Sequence, residues 1–296
     1  MAEWDAVGAS AVPLAGGYSG ESFAVAAAGE QAVLRLYLRR PERAAVDVAL
    51  LRLVRGLLPV PRVLDAKPDG TPDDPPYVLT ERLPGVNLGT FLGTASAARR
   101  RRVGEQLGDL LAMLSGMPFL RSGEFGDGDL LVVPFGPADL LTWYDRHAAA
   151  IALPPDDAER LSAVLADADA LAAQTERVCL CHSDFNPKNL LVDPDTATIT
   201  GLVDWEFAHA GSPFTDLGNL LRFCDDPVLA GAVLDVVRRR VPGADELVVE
   251  RARAADLWAL VELASRAGRN PVADAALDLL RATARTGDLA AGRPSF

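Results

Sequence analysis

The residues with the clearest chemical meaning lie in one short segment and in a second segment that follows it. The first, HSDFNPKN, runs from His182 to Asn189, and the second, VDWE, contains Asp204. Asp184 and Asn189 are five residues apart across a turn that contains Pro187, so both side chains can face one pocket. Apolar runs flank both segments, and a loop braced by short strands can hold side chains at fixed separations.

These three side chains have the composition of a site for phosphoryl transfer. Asp204 ends an apolar run that can pair with residues 190–192, which would bring its carboxylate close to Asn189. One anionic and one neutral oxygen donor suit Mg²⁺, which prefers oxygen ligands and keeps several waters. The remaining carboxylate, Asp184, can then accept a proton from a hydroxyl group. Together with a glycine-rich turn at residues 16–20, this set predicts that the chain moves a phosphoryl group.

The elements that position these residues begin with a small N-terminal α+β unit. Residues 9–40 are predicted to form strands, and the spacing of apolar residues predicts an amphipathic helix over 42–57. Two more strands are expected near 62–66 and 77–83. Strands, one helix and further strands indicate a unit that ends near Gly85.

After residue 86 the pattern changes to long helical segments. Helices are predicted over 96–115, 137–150, 156–173, 214–222, 227–240, 245–267 and 271–285. Residues 116–137, rich in glycine and proline, are expected to be a linker. Short strands are predicted at 178–181, 190–192 and 198–203, around the two chemically suggestive segments.

The pattern H-x-D-x-x-x-x-N, with D-W-E about 15 residues later, resembles the aminoglycoside phosphotransferase family, which is related in fold to protein kinases and to choline and homoserine kinases. The similarity extends over nearly the whole chain. It implies an α+β, bilobal, protein-kinase-like fold, with a small N-terminal lobe of antiparallel sheet and one helix and a larger, mostly helical C-terminal lobe. Residues 1–85 would then form the nucleotide-binding lobe with its hinge, and residues 86–296 the catalytic and acceptor-binding lobe.

The resemblance also implies roles for individual residues of the two segments. Asp184 matches the catalytic base, and Asn189 and Asp204 match the magnesium ligands. His182 matches a residue that shapes the catalytic loop through hydrogen bonds. Asp216 resembles the buried carboxylate that holds the backbone of that loop, so its role is structural.

The N-terminal lobe offers candidates for nucleotide binding. Ser19, in the glycine turn, resembles a residue whose hydroxyl faces phosphate oxygens. Arg35 occupies the strand position where protein kinases use lysine, and an arginine can hold phosphates through two nitrogens. Asp47 matches the acid that orients this cation, although glutamate is usual there and aspartate reaches less far. Glu42 is the other candidate for that acid.

Four further residues are candidates with open alternatives. The backbone at Glu81 and Leu83 resembles the hinge that bonds adenine, an assignment that rests on position alone. Lys188 could neutralise phosphate charge or be a solvated loop lysine. Glu206 could assist a second metal ion, contact the acceptor or form a hydrogen bond in the hinge region.

Composition limits the partners that the chain can have. The 296 residues carry a formal net charge of −12, which argues against a nucleic-acid surface or an anionic-membrane surface. No apolar run has the length of a membrane span, and three cysteines favour the cytoplasm over an oxidising compartment. Residues 124–216 hold 17 acids and 4 bases, a net charge of −13. This charge either favours a cationic small molecule as the partner or belongs to a solvated acidic face.

These observations predict an enzyme that uses ATP, or GTP, with Mg²⁺ to phosphorylate a hydroxyl group of a small and cationic molecule such as an aminoglycoside. Antibiotic resistance is accordingly a hypothesis. The alternatives are a kinase of a small metabolite of the choline, homoserine or sugar type, or of a macrolide. An alternative of another class is a pseudokinase that binds nucleotide without turnover.

Overall fold

The structure of the protein is a computed structural model that describes residues 10–14, 21–27, 30–71, 73–136 and 139–294. Ser19 and the rest of the glycine turn lie outside the described residues.

The chain forms two compact units, and neither is continuous in sequence. The N-terminal unit consists of Met1–Ala95, Glu124–Val133 and Asn186–Ala208. The C-terminal unit consists of Ser96–Gly123, Pro134–Phe185 and His209–Phe296. The chain therefore passes from one unit to the other inside the HSDFNPKN segment.

The described strands are, in chain order, β1 (Ser10–Pro13), β2 (Glu21–Ala27), β3 (Glu30–Leu36), β4 (Val63–Lys67), β5 (Tyr77–Glu81), β6 (Val86–Asn87), β7 (Gly123–Phe125), β8 (Val132–Val133), β9 (Cys179–Cys181), β10 (Leu190–Asp193), β11 (Thr198–Leu202) and β12 (His209–Gly211). The described α-helices are α1 (Arg43–Val54), α2 (Leu88–Leu92), α3 (Ala97–Ser115), α4 (Leu140–Ile151), α5 (Pro155–Ala172), α6 (Thr215–Leu221), α7 (Pro227–Arg240), α8 (Val248–Ala264) and α9 (Pro271–Thr286).

An antiparallel sheet with the strand order β1-β2-β3-β5-β4 dominates the N-terminal unit. Arg35, on β3, lies opposite Ser22 of β2 and Val78 of β5. Helix α1 packs against β4 and β5. It ends at Val54, earlier than predicted, because Gly56 takes φ +82° and the Leu58 N–H turns back to the Val54 carbonyl oxygen.

A second sheet, β11-β10-β6, explains why residues 186–208 belong to the N-terminal unit. Leu191 of β10 pairs with Gly201 of β11 and with Asn87 of β6. The connection needs glycine at residue 85, because φ there is +119° and a Cβ would lie 2.6 Å from Thr200 Oγ1. The compact units therefore differ from the predicted division at residue 85, because strands distant in sequence pair with each other.

The C-terminal unit is mostly helical, as predicted. An apolar core lies among α4, α5, α8 and α9, and it includes Leu140, Leu161, Leu257 and Leu280, each nearly or fully buried. Each of these helices has one apolar face, and burial of these faces against each other contributes most of the stability of the folded unit. No helix of the described chain is both long and apolar enough to cross a membrane.

Several short elements were not predicted from the sequence. The expected linker over 116–137 contains β7 and β8, which pair Phe125 with Val132. Strand β12 pairs His209 with Cys181 of β9, and helix α2 and strand β6 were also not predicted. Each of these five elements has only two to five residues and shows no clear period of 2 or 3.6 in the sequence, so tertiary contacts decide them.

Helix α6 packs against α8 at Gly218, which leads to a prediction about stability. A Cβ at Gly218 would overlap the carbonyl oxygen of Ala252 and lie 2.9 Å from the Cβ of Asp256. We expect Gly218→Ala to lower the free energy of unfolding by about 1–3 kcal/mol, because neither neighbour can move freely. Denaturant unfolding of the two proteins measures the difference.

Gly231→Ala is the matched control, because Gly231 lies within helix α7 and a Cβ there meets no atom within 4 Å. Alanine has the higher helix propensity, so this variant should be as stable as the original protein or slightly more stable. Equal effects of the two substitutions would contradict the close packing of α6 on α8.

Candidate active site

In the C-terminal unit, the candidate residues lie in the loop that follows β9, and one carboxylate holds the backbone of this loop. Asp216, in the first turn of α6, accepts the His182 N–H at Oδ2 over 2.8 Å. It accepts the Ser183 N–H at Oδ1 over 2.7 Å. The two carboxylate oxygens thus fix two successive peptide groups directly before Asp184. The resemblance implies this structural role for Asp216.

Side chains around Asp184 restrict the loop further. Ser183 takes φ +65°, and its hydroxyl lies 2.7 Å from His209 Nδ1. The Asp184 N–H donates to His182 Nδ1 over 3.3 Å, and the His182 ring is fully buried. Phe185 is also fully buried and meets the His182 ring edge to face. Asp184 itself is half-buried, and the hydrogen bonds to His182 and Asp216 fix the backbone that carries its carboxylate.

The electrostatics of Asp216 follow from its burial. Burial raises the pKa of Asp216 to about 6, against the lowering effect of the two backbone N–H donors, and the negative charge of Asp184 raises it further. A carboxyl group whose pKa is raised in the folded state adds most stability when it is protonated. That contribution is complete below about pH 4, the ordinary range of aspartate, and is lost as the pH rises through about 6.

This sign gives a prediction about pH dependence. Between pH 4 and pH 6 the free energy of unfolding of the original protein should fall relative to that of Asp216→Asn, by on the order of 3 kcal/mol. Urea unfolding of both proteins at several pH values measures the difference. Parallel curves for the two proteins would show that Asp216 does not titrate in this range.

In the N-terminal unit, the candidate residues lie in a short 3-10 helix and at the end of β11. The 3-10 helix, Pro187–Asn189, is closed by the Asn189 N–H, which donates to the Asn186 carbonyl oxygen over 3.0 Å. The Val203 N–H then donates to the Asn189 carbonyl oxygen, also over 3.0 Å. Asp204 follows directly, with φ +66°. The backbone segments that carry Asn189 and Asp204 are therefore neighbours.

The donor chemistry of this pair fits Mg²⁺. Asn189 is buried and offers a neutral oxygen, whereas Asp204 is partly exposed and offers an anionic one. Among the described residues there is no cluster of three or more His, Cys, Asp or Glu suited to a metal ion. Mg²⁺ commonly takes one or two oxygen ligands from a protein, and water and substrate phosphates complete its coordination.

Arg35 forms ion pairs with two acids of the DWE triplet. Its Nη1 lies 2.8 Å from Asp204 Oδ1, and its Nη2 lies 2.6 Å from Glu206 Oε2. Glu206 is 4% exposed, so this carboxylate is buried against the guanidinium. The ion pair with Arg35 is a role of Glu206 that the sequence did not suggest.

Asp47 contacts Tyr37 and Arg43, whereas the sequence predicted Arg35 as its partner. The Tyr37 hydroxyl donates to Asp47 Oδ2 over 2.7 Å, and Arg43 Nη2 lies 3.2 Å from Asp47 Oδ1. Arg43 Nη2 also donates to the Trp205 carbonyl oxygen over 3.0 Å. Arg43 was not among the residues predicted from the sequence. Its i, i+4 spacing to Asp47 on one helix is the sequence signal that indicates this ion pair.

The remaining predicted residues are placed as follows. Glu42 pairs with Arg40 in an exposed ion pair. The Glu81 N–H donates to the Arg62 carbonyl oxygen over 3.0 Å, so that N–H is not offered to a base. Leu83 is half-buried and follows β5. Lys188 is exposed, and its carbonyl oxygen accepts Asn87 Nδ2 over 2.8 Å.

The fold is the protein-kinase-like fold of the aminoglycoside phosphotransferases. The structure is similar to a thermostable mutant of aminoglycoside phosphotransferase APH(4)-Ia in ternary complex with ADP and hygromycin B, with a TM-score of 0.67 at 19% identity. The match covers 96% of this chain and 96% of that chain. This likeness confirms the predicted α+β, protein-kinase-like fold.

The chain belongs to the phosphotransferase enzyme family, whose model matches residues 10–247. The aminoglycoside 3'-phosphotransferase of Streptomyces fradiae is 28% identical over 177 residues, 56% of this chain and 60% of that protein. Acyl-CoA dehydrogenase family member 10 of Mus musculus is 27% identical over 198 residues, 64% of this chain and 18% of that protein. The chain thus spans less than two thirds of the length of either relative.

Proposed function

We propose that this protein is an ATP- and Mg²⁺-dependent O-phosphotransferase that transfers the γ-phosphoryl group to a hydroxyl group of a small molecule. The observation that carries the proposal is the arrangement of Asn189, Asp204 and Arg35. The Val203 N–H donates to the Asn189 carbonyl oxygen, so that Asp204 follows directly beside Asn189, and the Arg35 guanidinium lies 2.8 Å from the Asp204 carboxylate. A divalent cation and a phosphate chain are the ligands that such a set matches.

Asn189 and Asp204 would hold the metal ion, and Arg35 would hold the nucleotide phosphates. Mg²⁺ supplies, when bound, positive charge beside the oxygens of the β- and γ-phosphates. A guanidinium has five N–H donors, so Arg35 can bind Asp204 and Glu206 and still donate to phosphate oxygens. These groups would thus neutralise the charge of the triphosphate, and their positions are fixed before the triphosphate binds.

Asp184 would accept the proton of the acceptor hydroxyl group. Its backbone is fixed by the His182 ring and by the two hydrogen bonds of the preceding peptides to Asp216. A fixed carboxylate both aligns the hydroxyl oxygen and takes its proton as the phosphoryl group is transferred. Alignment is the larger contribution, because the transition state needs little activation of the attacking oxygen.

We propose a cationic acceptor, of the aminoglycoside type. The support is the net charge of −13 over residues 124–216, together with the aminoglycosides named for the related proteins. A resistance role would follow from such an acceptor. The cytoplasmic location and the use of ATP rather than GTP stay predictions that the next experiment and cell fractionation address.

The test is nucleotide-dependent phosphorylation of a panel of acceptors. ADP or GDP release is measured with Mg²⁺ and ATP or GTP in the presence of aminoglycosides, macrolides, choline, homoserine and sugars. We expect ADP release to rise with an aminoglycoside and not with uncharged sugars. Mass spectrometry of the stimulating acceptor should then show one added phosphoryl group.

Three other outcomes have distinct meanings. Stimulation by choline, homoserine or a sugar would replace the proposed acceptor with a metabolite and keep the chemistry. Nucleotide binding without stimulation by any acceptor would favour the pseudokinase alternative. Absence of binding of both ATP and GTP, measured by calorimetry, would overturn the proposed function.

A further inference from the structure

We propose that Glu206, and not the helix residue Asp47, is the carboxylate that positions Arg35 for the nucleotide phosphates. This inference rests on the proposed function and adds a positioning residue to it. All the residues that carry it belong to the N-terminal unit, and each of their contacts is direct.

The first support is the geometry around Arg35. Each terminal nitrogen of the guanidinium binds a different carboxylate, Nη1 that of Asp204 and Nη2 that of Glu206. The guanidinium carbon lies 5.4 Å from the centre of the Tyr37 ring, which covers one side of it. Two carboxylates and one ring restrict both the position and the plane of the guanidinium.

The second support is that both oxygens of Asp47 have partners other than Arg35. Tyr37 donates to Oδ2, and Arg43 binds Oδ1 in an ion pair that is almost fully buried. Arg43 in turn donates to the carbonyl oxygen of Trp205, the residue between Asp204 and Glu206. Asp47 thus contacts the DWE triplet through Arg43, and its negative charge also helps to raise the pKa of the Arg35 guanidinium.

The experiment compares two variants that each remove one negative charge near Arg35, Glu206→Gln and Asp47→Asn. ADP affinity is measured by calorimetry in EDTA, so that no metal ion contributes. We expect Glu206→Gln to weaken ADP binding by about tenfold or more relative to Asp47→Asn, because it frees one end of the guanidinium. Asp47→Asn should chiefly lower the melting temperature, because its partners are buried.

A double-mutant cycle separates positioning from a general structural effect. In the background of Arg35→Lys, Glu206→Gln should cost little further affinity, because the paired nitrogen is already absent. Asp47→Asn should have the same effect in both backgrounds. Glu206→Asp, which keeps the charge, gives the same comparison if Glu206→Gln does not fold in a melting experiment.

Two results would overturn the inference while leaving the proposed function intact. One is a loss of affinity in Glu206→Gln that occurs only when Mg²⁺ is present, which would make Glu206 a metal ligand. The other is a cycle in which Arg35 couples to Asp47 and not to Glu206. Failure of the original protein to bind any nucleotide would instead count against the proposed function itself.

Discussion

Replacement of Asp184 by asparagine is expected to lower kcat by about three powers of ten or more, which corresponds to about 4 kcal/mol of transition-state stabilisation. Asparagine has the same shape and cannot accept the proton of a hydroxyl group. The backbone contacts from His182 and Asp216 do not involve the replaced side chain, so the loop should keep its conformation. Nucleotide affinity should therefore change little, as calorimetry with ADP would show.

The matched control is Asp235→Asn, which removes one exposed carboxylate from helix α7 of the same unit. It should retain full ADP release with the stimulating acceptor. Activity of Asp184→Asn within about tenfold of the original protein would show that another group accepts the proton, or that none is needed.

Replacement of Asp204 by asparagine is the second substitution with a large expected effect. It removes the anionic oxygen of the proposed metal site and weakens the ion pair with Arg35 at 2.8 Å. We expect kcat/KM to fall by at least about two powers of ten and the Mg²⁺ concentration for half-maximal activity to rise. Titration of activity with Mg²⁺ measures the half-maximal Mg²⁺ concentration, and rates at increasing ATP concentration measure kcat/KM.

Asp65→Asn serves as the control in the same unit, because Asp65 lies on β4 and its carboxylate accepts the Tyr77 hydroxyl over 2.7 Å. Its Mg²⁺ requirement should match that of the original protein. An unchanged Mg²⁺ requirement in Asp204→Asn would remove Asp204 from the metal site, whatever happened to the rate.

The sequence alone was sufficient for the family, the fold class and most of the long elements. The match to the phosphotransferase enzyme family confirms the resemblance that the two short segments indicated. Helices such as α3 and α7 were predicted within a residue or two, because a long apolar stripe repeats several times along the chain. The pairing of β10 with β11 was also predicted, because a short turn joins the two strands.

The roles of Asp184, Asn189 and Asp204 stay predictions that the substitutions above test. The sequence indicated these residues as one candidate set because short segments connect them. Asp184 and Asn189 share one loop, and Asn189 and Asp204 are joined by a hairpin. Local chain connectivity therefore restricts where these side chains can lie.

What only the tertiary structure decided is how residues distant in sequence share their charges. Arg35 and Glu206 are 171 residues apart, and Arg43 and Trp205 are 162 apart. No local period or spacing encodes such a pair, and several acids of similar character compete for one guanidinium. The choice among them depends on side-chain length and on the burial of each group, because a buried charge is stable only beside a partner. The sequence thus determined the chemistry available to this protein, and packing determined which groups meet.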